Sequence, residues 1–357
     1  MMEENSMQSD TVTNPNFTWQ KFSDFLLRIG FTPLGLGLLI LIAVLPFIPP
    51  FNQEHMIRWL ITGAFIAAQS IAFDFTSGYI NVVNFGFAAL LGLGAYTSAI
   101  LTNTAPFIVV QLGWSPWVTI WVGALVAGLT GLFLGFLTLR LRGIFAAVMA
   151  WFFGIALMGL ANNLKTITRG SLGMAPPRFF ENPSNLPYFY IILLMMVGIY
   201  VILKLVTNSY IGLAFKAIGQ NYDAAQASGI NATKYRVFNF TVSAFFAGLL
   251  GGFFAHYVAS LTPQTLMHTS KTVEVLAIAY IGGRGSLWGG VALAFPFIFF
   301  IEFLRSNTSA LPGLHMVIYG VLMIVVMIFY PDGLAGLYQY TAAKVKSWFA
   351  ERRNKNS

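Results

Sequence analysis

The chain has 357 residues, of which 57% are hydrophobic and only 9% charged, and it carries a net charge of +8 and no cysteine. That balance excludes a dispersed soluble domain of this length and fits a chain immersed in lipid. Without cysteine there are no disulfides, thiolate metal ligands or thiol nucleophile. The basic residues lie scattered at loop ends rather than along the stripe of a nucleic-acid binder, so no nucleic-acid partner is expected.

Residues 1–33 read as a polar cytoplasmic tail. No apolar core stands behind a basic cluster there, so the segment is not a cleavable signal peptide. Apolar runs follow at Leu34–Pro50, Met56–Phe73, Val82–Leu101, Trp117–Leu139, Gly143–Ala161, Leu186–Val206 and Phe238–Leu261. Each reaches or approaches the roughly 20 residues that cross the hydrocarbon of a bilayer. Thr272–Ile281 is too short to span alone. It is followed by Gly282-Gly283-Arg284-Gly285-Ser286 and a second run, Leu287–Ile301, so that residues 272–302 form either two short helices or one broken helix. Met316–Tyr330 is the last run, and residues 339–357 read as a basic cytoplasmic tail.

The expected architecture is therefore all-α and polytopic, with about ten transmembrane helices over residues 34–338 and both termini cytoplasmic. Charge bias decides the count: ten spans place 14 of the 20 basic residues inside and leave only Arg58, Lys165, Arg169, Arg178, Lys271 and Arg305 outside. Small residues four apart, at Ala88/Gly92, Ala124/Gly128, Gly131/Gly135, Gly248/Gly252 and Gly285/Gly289, predict close helix packing.

The longest polar interruption on the cytoplasmic side is residues 207–236. Ala214–Ala227 predicts one helix, with Gly229 where a C-terminal glycine cap is expected. A short solvent-facing helix between two membrane spans is a handle that a partner outside the membrane can push. The bland alternative is a solvated loop.

Catalytic signatures are missing. There is no G-x-x-x-x-G-K-[ST], H-E-x-x-H or G-x-S-x-G, and His55, His256, His268 and His315 lie too far apart in sequence to suggest a metal site. The chain reads as a transporter, not an enzyme, with no cofactor. Polar residues inside apolar spans face a cavity or a neighbouring helix. Gln69, Asn81, Asn84, Asn162, Asn163, His256 and Glu274 meet that description, with Gly86 and Gly92 beside Asn84 on the glycine-rich third span. Glu274 either pairs with Lys271 along the helix or touches substrate or gate. Asn84 either hydrogen-bonds a substrate or caps a helix break. Arg169 and Arg178, on an outer loop, either meet an acidic partner surface or are solvated.

Four places carry a family resemblance. Val83-Asn84-Phe85-Gly86-Phe87-Ala88-Ala89-Leu90-Leu91-Gly92-Leu93-Gly94-Ala95-Tyr96 resembles the third-helix signature of branched-chain amino-acid ABC permeases. Arg142-Gly143-Ile144-Phe145-Ala146 and Thr168-Arg169-Gly170-Ser171-Leu172-Gly173 resemble their R-G-I-Y-F-A and T-G-G-S-x-G elements. Gly212-Leu213-Ala214-Phe215-Lys216-Ala217-Ile218, continuing through Asp223-Ala224-Ala225 to Gly229-Ile230-Asn231, resembles the cytoplasmic coupling loop. Gly282-Gly283-Arg284-Gly285-Ser286-Leu287-Trp288-Gly289 and Pro331-Asp332-Gly333-Leu334-Ala335-Gly336-Leu337 resemble the closing signatures. The match covers Gly63 to Leu337 in order and favours the M-type subunit. Asn84 and Phe87 stand where Ser and His are common, Arg169 replaces a glycine and Arg284 a leucine.

The resemblance implies the transmembrane permease of an importer in the cell inner membrane. Its expected partners are a second permease, two cytoplasmic ATPases and an extracytoplasmic binding protein. Ala214, Phe215, Lys216, Ala217, Ile218, Asp223, Ala224, Ala225 and Gly229 would then meet or support the ATPases. Branched-chain or other small amino acids are the implied substrates, with urea or short amides as the alternative. A passive channel or a secondary transporter remains as a further class.

Overall fold

The computed structural model describes residues 30, 33–104, 112–138, 141, 143–181, 184–307, 314–329, 333 and 336. The two expected tails fall almost wholly outside these residues. So do Arg142 of the R-G-I element and Pro331, Asp332, Leu334, Ala335 and Leu337 of the last signature.

Among the described residues the regular structure is helical: α1 (Pro33–Val44), α2 (Glu54–Ser77), α3 (Phe87–Thr102), α4 (Pro116–Leu137), α5 (Ile144–Asn163), α6 (Lys165–Thr168), α7 (Leu186–Thr207), α8 (Tyr210–Gln220), α9 (Tyr222–Ala227), α10 (Ala232–Val258), α11 (Pro263–Met267), α12 (Thr269–Gly283), α13 (Trp288–Asn307) and α14 (Leu314–Phe329). One isolated antiparallel bridge, Met174 with Leu261, joins the loop after α6 to the exit of α10.

Six of these helices are long and apolar enough to cross a membrane: α2, α4, α5, α7, α10 and α13. Two expected spans differ from the sequence reading. The run Leu34–Pro50 folds as the 12-residue α1 and a short 3-10 turn, Leu45–Phe47, and 12 residues of helix reach only about 18 Å. The run Val82–Leu101 begins as buried, irregular backbone and becomes helical at Phe87, with Asn81 at φ 57°. Residues 272–302 are two helices, because Gly285 and Leu287, between the end of α12 and the start of α13, hold φ of 75° and 58°, values far from the α-helical region.

Lipid inverts the usual packing pattern. On α4 the large residues Trp121, Leu125, Leu129 and Phe133 point outward, while Gly123, Ala124, Ala127, Gly128 and Gly131 are buried. Small residues let backbones approach where burial of apolar surface supplies no drive between helices. Gly131 lies against the Ala244 Cβ of α10, and Gly248 of α10 lies between Ala127 of α4 and Gly94 of α3. The pairs on α4 and α10 thus pack as their spacing predicts. Gly285/Gly289 does not act as a helical pair, because Gly285 is in the loop.

α2 and α10 form the centre of the bundle. They bury 72% of their most apolar stretch, against 28% for α5 and 44% for α4. α10 packs along α4 and α3, and α2 bridges α7 and α13. α10 is 27 residues long, about 40 Å, so its two ends report on opposite sides of the bundle.

Candidate functional site: a helix pair docked on the ends of α2 and α10

Three short polar side chains start the helices of this region. Ser209 Oγ accepts the Ile211 N–H at 3.2 Å, Asn221 Oδ1 accepts the Ala224 N–H at 3.0 Å, and Asn231 Oδ1 accepts the Lys234 N–H at 3.1 Å. Each satisfies an amide that an open helix start leaves unpaired. Asn221, at φ −152° and ψ 109°, divides the single helix expected over Ala214–Ala227 into α8 and α9. Helix propensity favoured continuity, and the cap overrode it. Gly229 is at φ 84°; its N–H donates to Gln226 O and that of Ile230 to Ala225 O, both at 3.0 Å. This is the double-bonded glycine stop expected at that position.

The pair has two faces. Gly212, Ala214, Phe215 and Ile218 of α8 and Ala225 of α9 are buried. Phe215 meets Phe75 edge-on at 5.4 Å and Tyr235 at 6.1 Å, and stacks on Phe238 at 6.4 Å. Ile218 and Ala225 form a small core with Ala232, flanked by Ala217, Tyr222 and Ile230. Gly219 rests on the Tyr79 carbonyl with no room for a Cβ. On the outer face Lys216, Asp223, Ala224 and Gly229 are exposed. So are Tyr210 at 75% and Leu213 at 67%, which the sequence reading did not single out, although the i, i+3 spacing of Tyr210, Leu213 and Lys216 was there to be read. The expected coupling residues therefore separate into Lys216, Asp223, Ala224 and Gly229, which a partner can reach, and Ala214, Phe215, Ile218 and Ala225, which hold the pair down. Ala217 is half-buried between them.

Beneath the pair, α10 grips the end of α2. Asn239 Nδ2 donates to Phe75 O and Ser243 Oγ to Ala72 O, both at 2.7 Å. Arg236, itself buried, donates from Nη2 to Leu141 O at 3.1 Å. One turn along, the buried Asp74 carboxyl accepts the Gly285 N–H at 2.8 Å on Oδ1 and the Leu287 N–H at 3.1 Å on Oδ2. Leu287 at φ 58° carries a strain on the order of 1 kcal/mol, which these bonds offset. Asp74 was also missed by the sequence reading. Nothing local to Phe73-Asp74-Phe75 reveals a partner more than two hundred residues away.

The residues named for a translocation path are dispersed over the fold. Asn84 is buried; its Oδ1 accepts the Gly86 N–H at 3.1 Å, and its Nδ2 has no hydrogen-bond partner. Asn84 thus closes a turn onto Gly86 just before α3, whose start at Gly86 has no side-chain cap. Thr272 of α12 joins it there, accepting the Ala88 N–H at 3.0 Å and donating to Phe85 O at 3.2 Å. Gly86 lies against Ala150 O of α5, and Gly92 against Met267 of α11. Asn81 is exposed, and Asn162, half-buried, closes α5 with an Oδ1 that has no partner. Glu274 accepts from Lys271 Nζ at 3.0 Å, one turn away on α12, which is the pairing expected of it.

At the far end of α10, His256 Nδ1 lies 2.7 Å from Pro177 O, and its Nε2 lies 2.8 Å from Ser98 Oγ, which meets Thr119 Oγ1 at 2.9 Å. A carbonyl only accepts, so the ring proton is on Nδ1. Arg178, next to Pro177, is exposed. Arg169 is half-buried at φ 60°, a left-handed conformation that favours glycine. Among the described residues no group of three or more His, Asp or Glu side chains is placed to hold a metal.

Comparison with known proteins bears on this geometry directly. The chain is 28% identical over 286 residues to the high-affinity branched-chain amino acid transport system permease protein LivM of Salmonella typhimurium. It is 27% identical over the same length to LivM of Escherichia coli. Each alignment covers 72% of this chain, and the chain spans 64% of the length of each relative. The nucleoside ABC transporter permease protein NupC of Lactococcus lactis subsp. cremoris is 23% identical, over 58% of this chain and 70% of that protein. No solved structure matches the chain. The family model described as branched-chain amino acid transport system / permease component matches residues 55–327, a range that takes in α2 to α13, the capped helix pair and the Asp74 clasp. On that match this helical membrane protein belongs to the branched-chain amino acid transport permease family.

Proposed function

We propose that the chain is the transmembrane permease subunit of an ABC importer for a branched-chain or other small amino acid, and that ATP is hydrolysed on separate cytoplasmic subunits. The observation carrying this reading is the α8–α9 pair, whose buried face is seated on the ends of α2 and α10 and whose outer face presents Tyr210, Leu213 and Lys216. Tyr210 and Leu213, 75% and 67% exposed side by side on this polar segment, support a docking surface over a solvated loop. In this reading ten spans cross the membrane with both termini cytoplasmic. The permease pairs with a second homologous permease and two ATPases, and a binding protein docks near Arg169 and Arg178. Asn81, Asn84, Gly86, Gly92, Asn162 and Glu274 are the candidates for contact with the path. The resemblance to a protein named for nucleosides favours a second reading of the substrate, a nucleoside.

Reconstitution tests both. The chain, co-purified with its candidate partner permease, ATPases and binding protein, is placed in proteoliposomes and offered labelled leucine, urea and a nucleoside. ATP-dependent uptake of leucine, lost in Leu213→Asp together with ATPase retention on the permease, is the expected result. Uphill uptake by the chain alone, or full ATPase binding by Leu213→Asp, overturns the proposal.

A further inference from the structure

We propose that Asp74 is the positioning residue through which displacement of α8–α9 reaches the loop between α12 and α13. The inference rests on the importer reading and deepens it by naming a transmission element inside the permease.

Asp74 is the one buried carboxyl group among the described residues. An acid inside a membrane bundle is costly and persists where it performs a task. Its two oxygens accept from two amides of a single loop, Arg284–Leu287, across 211 and 213 residues of sequence. Gly285 and Leu287 of that loop hold left-handed backbone, as does Gly283 at the end of α12, and α13 begins at the next residue, Trp288. The loop therefore sets where α13 starts, and Asp74 sets where the loop sits.

The other side of the connection is as short. Phe75, the next residue after Asp74, takes the edge of Phe215 from α8 at 5.4 Å. Four residues on, the Tyr79 carbonyl lies under Gly219 of α8 so closely that a Cβ has no space. Asn239 of α10 holds the Phe75 carbonyl at 2.7 Å. A push on α8 consequently moves the last turn of α2, and the carboxyl carries that movement to the start of α13. Packing of this kind shifts between discrete arrangements rather than deforming smoothly.

The test separates transmission from simple support. Asp74→Asn keeps the shape but turns an N–H donor toward one of the two loop amides. In the complete transporter in proteoliposomes, uptake of labelled leucine is expected to fall about tenfold or more, the equivalent of one lost hydrogen bond to a carboxylate. ATP turnover stimulated by the binding protein is expected to stay near the wild-type rate, with equal assembly. Uptake and turnover falling in proportion, or both unchanged, overturns the proposal.

A second measurement needs no change at Asp74. The cysteine-free chain takes spin labels at Gln220→Cys, at the end of α8, and Arg284→Cys, both exposed, with a reference label at Gln264→Cys near the far end of α10. ATP binding is expected to move the first two together relative to the third. A Gln220 label that moves while the Arg284 label stays put, or ATP binding that moves neither, overturns the proposal. A wild-type complex without ATP-driven uptake overturns the importer reading itself, and the proposal with it. A coupled wild type beside an equally coupled Asp74→Asn overturns the proposal alone.

Discussion

Replacing Phe215 by Ala is expected to release the α8–α9 pair while the membrane helices stay folded. The side chain is fully buried and makes three ring contacts, with Phe75 at 5.4 Å, Tyr235 at 6.1 Å and Phe238 at 6.4 Å. Removing a buried phenylalanine costs about 3–5 kcal/mol, part of it for the cavity left behind. The rest of the attachment is slight: Ile218 and Ala225 on a small core, and the backbone seat of Gly219 on Tyr79. A loss near 3 kcal/mol raises the local opening constant about 10²-fold, and α8, on few buried contacts, is the element to open. Hydrogen exchange in lipid nanodiscs reads this directly. Amides of Phe215–Asn221 are expected to exchange faster in Phe215→Ala, while those around Gly248 in α10 keep their protection. Phe215→Leu keeps most of the volume and costs about 1.5 kcal/mol, so it recovers most of the protection. Unchanged exchange in α8, or an equal loss in α8 and α10, refutes the reasoning.

Three further outcomes follow from the same structure. Gly248→Ala drives a methyl against Ala127 and the Gly123 carbonyl and is expected to destabilise by about 1–3 kcal/mol, whereas Gly159→Ala meets open space and leaves the thermal midpoint in detergent unchanged or higher. Ala217→Pro, in the interior of α8, costs about 3 kcal/mol of helix and is expected to abolish ATP-driven uptake with normal amounts in the membrane. Ala224→Pro costs about 1 kcal/mol, since it sits in the first turn of α9 and loses only the Asn221 cap; normal uptake by Ala217→Pro contradicts the handle. Glu274→Gln breaks a partly exposed pair with Lys271 and is expected to cost under about 1 kcal/mol with uptake retained. Lost uptake at unchanged stability makes Glu274 a substrate or gate contact instead.

Much of this protein is legible in its composition and spacing. Low charge and long apolar runs determine a helical membrane protein, and the order of motifs from Asn84 through Gly229 to Trp288 determines the family. The small-residue spacing on α4 and α10 marks the most extensive helix contact. The caps were equally readable: Asn221 is a strong helix start, and reading Ala214–Ala227 as one helix gave its alanine content more weight than that signal.

What only the tertiary structure decided is which groups meet across the chain. A lipid-embedded helix is apolar on every side, so hydrophobicity alone does not reveal the inward face; only the small-residue spacing on α4 and α10 did. The clasp of Asp74 on Gly285 and Leu287 depends on backbone amides, which have no sequence signature. The seat of Phe215 on Phe75 and the strained turn at Arg169 likewise come from packing between segments distant along the chain. Residue identity determined the solvent and the family, and the packing of α2 against α8, α10 and the α12–α13 loop decided where the buried acid finds its partners.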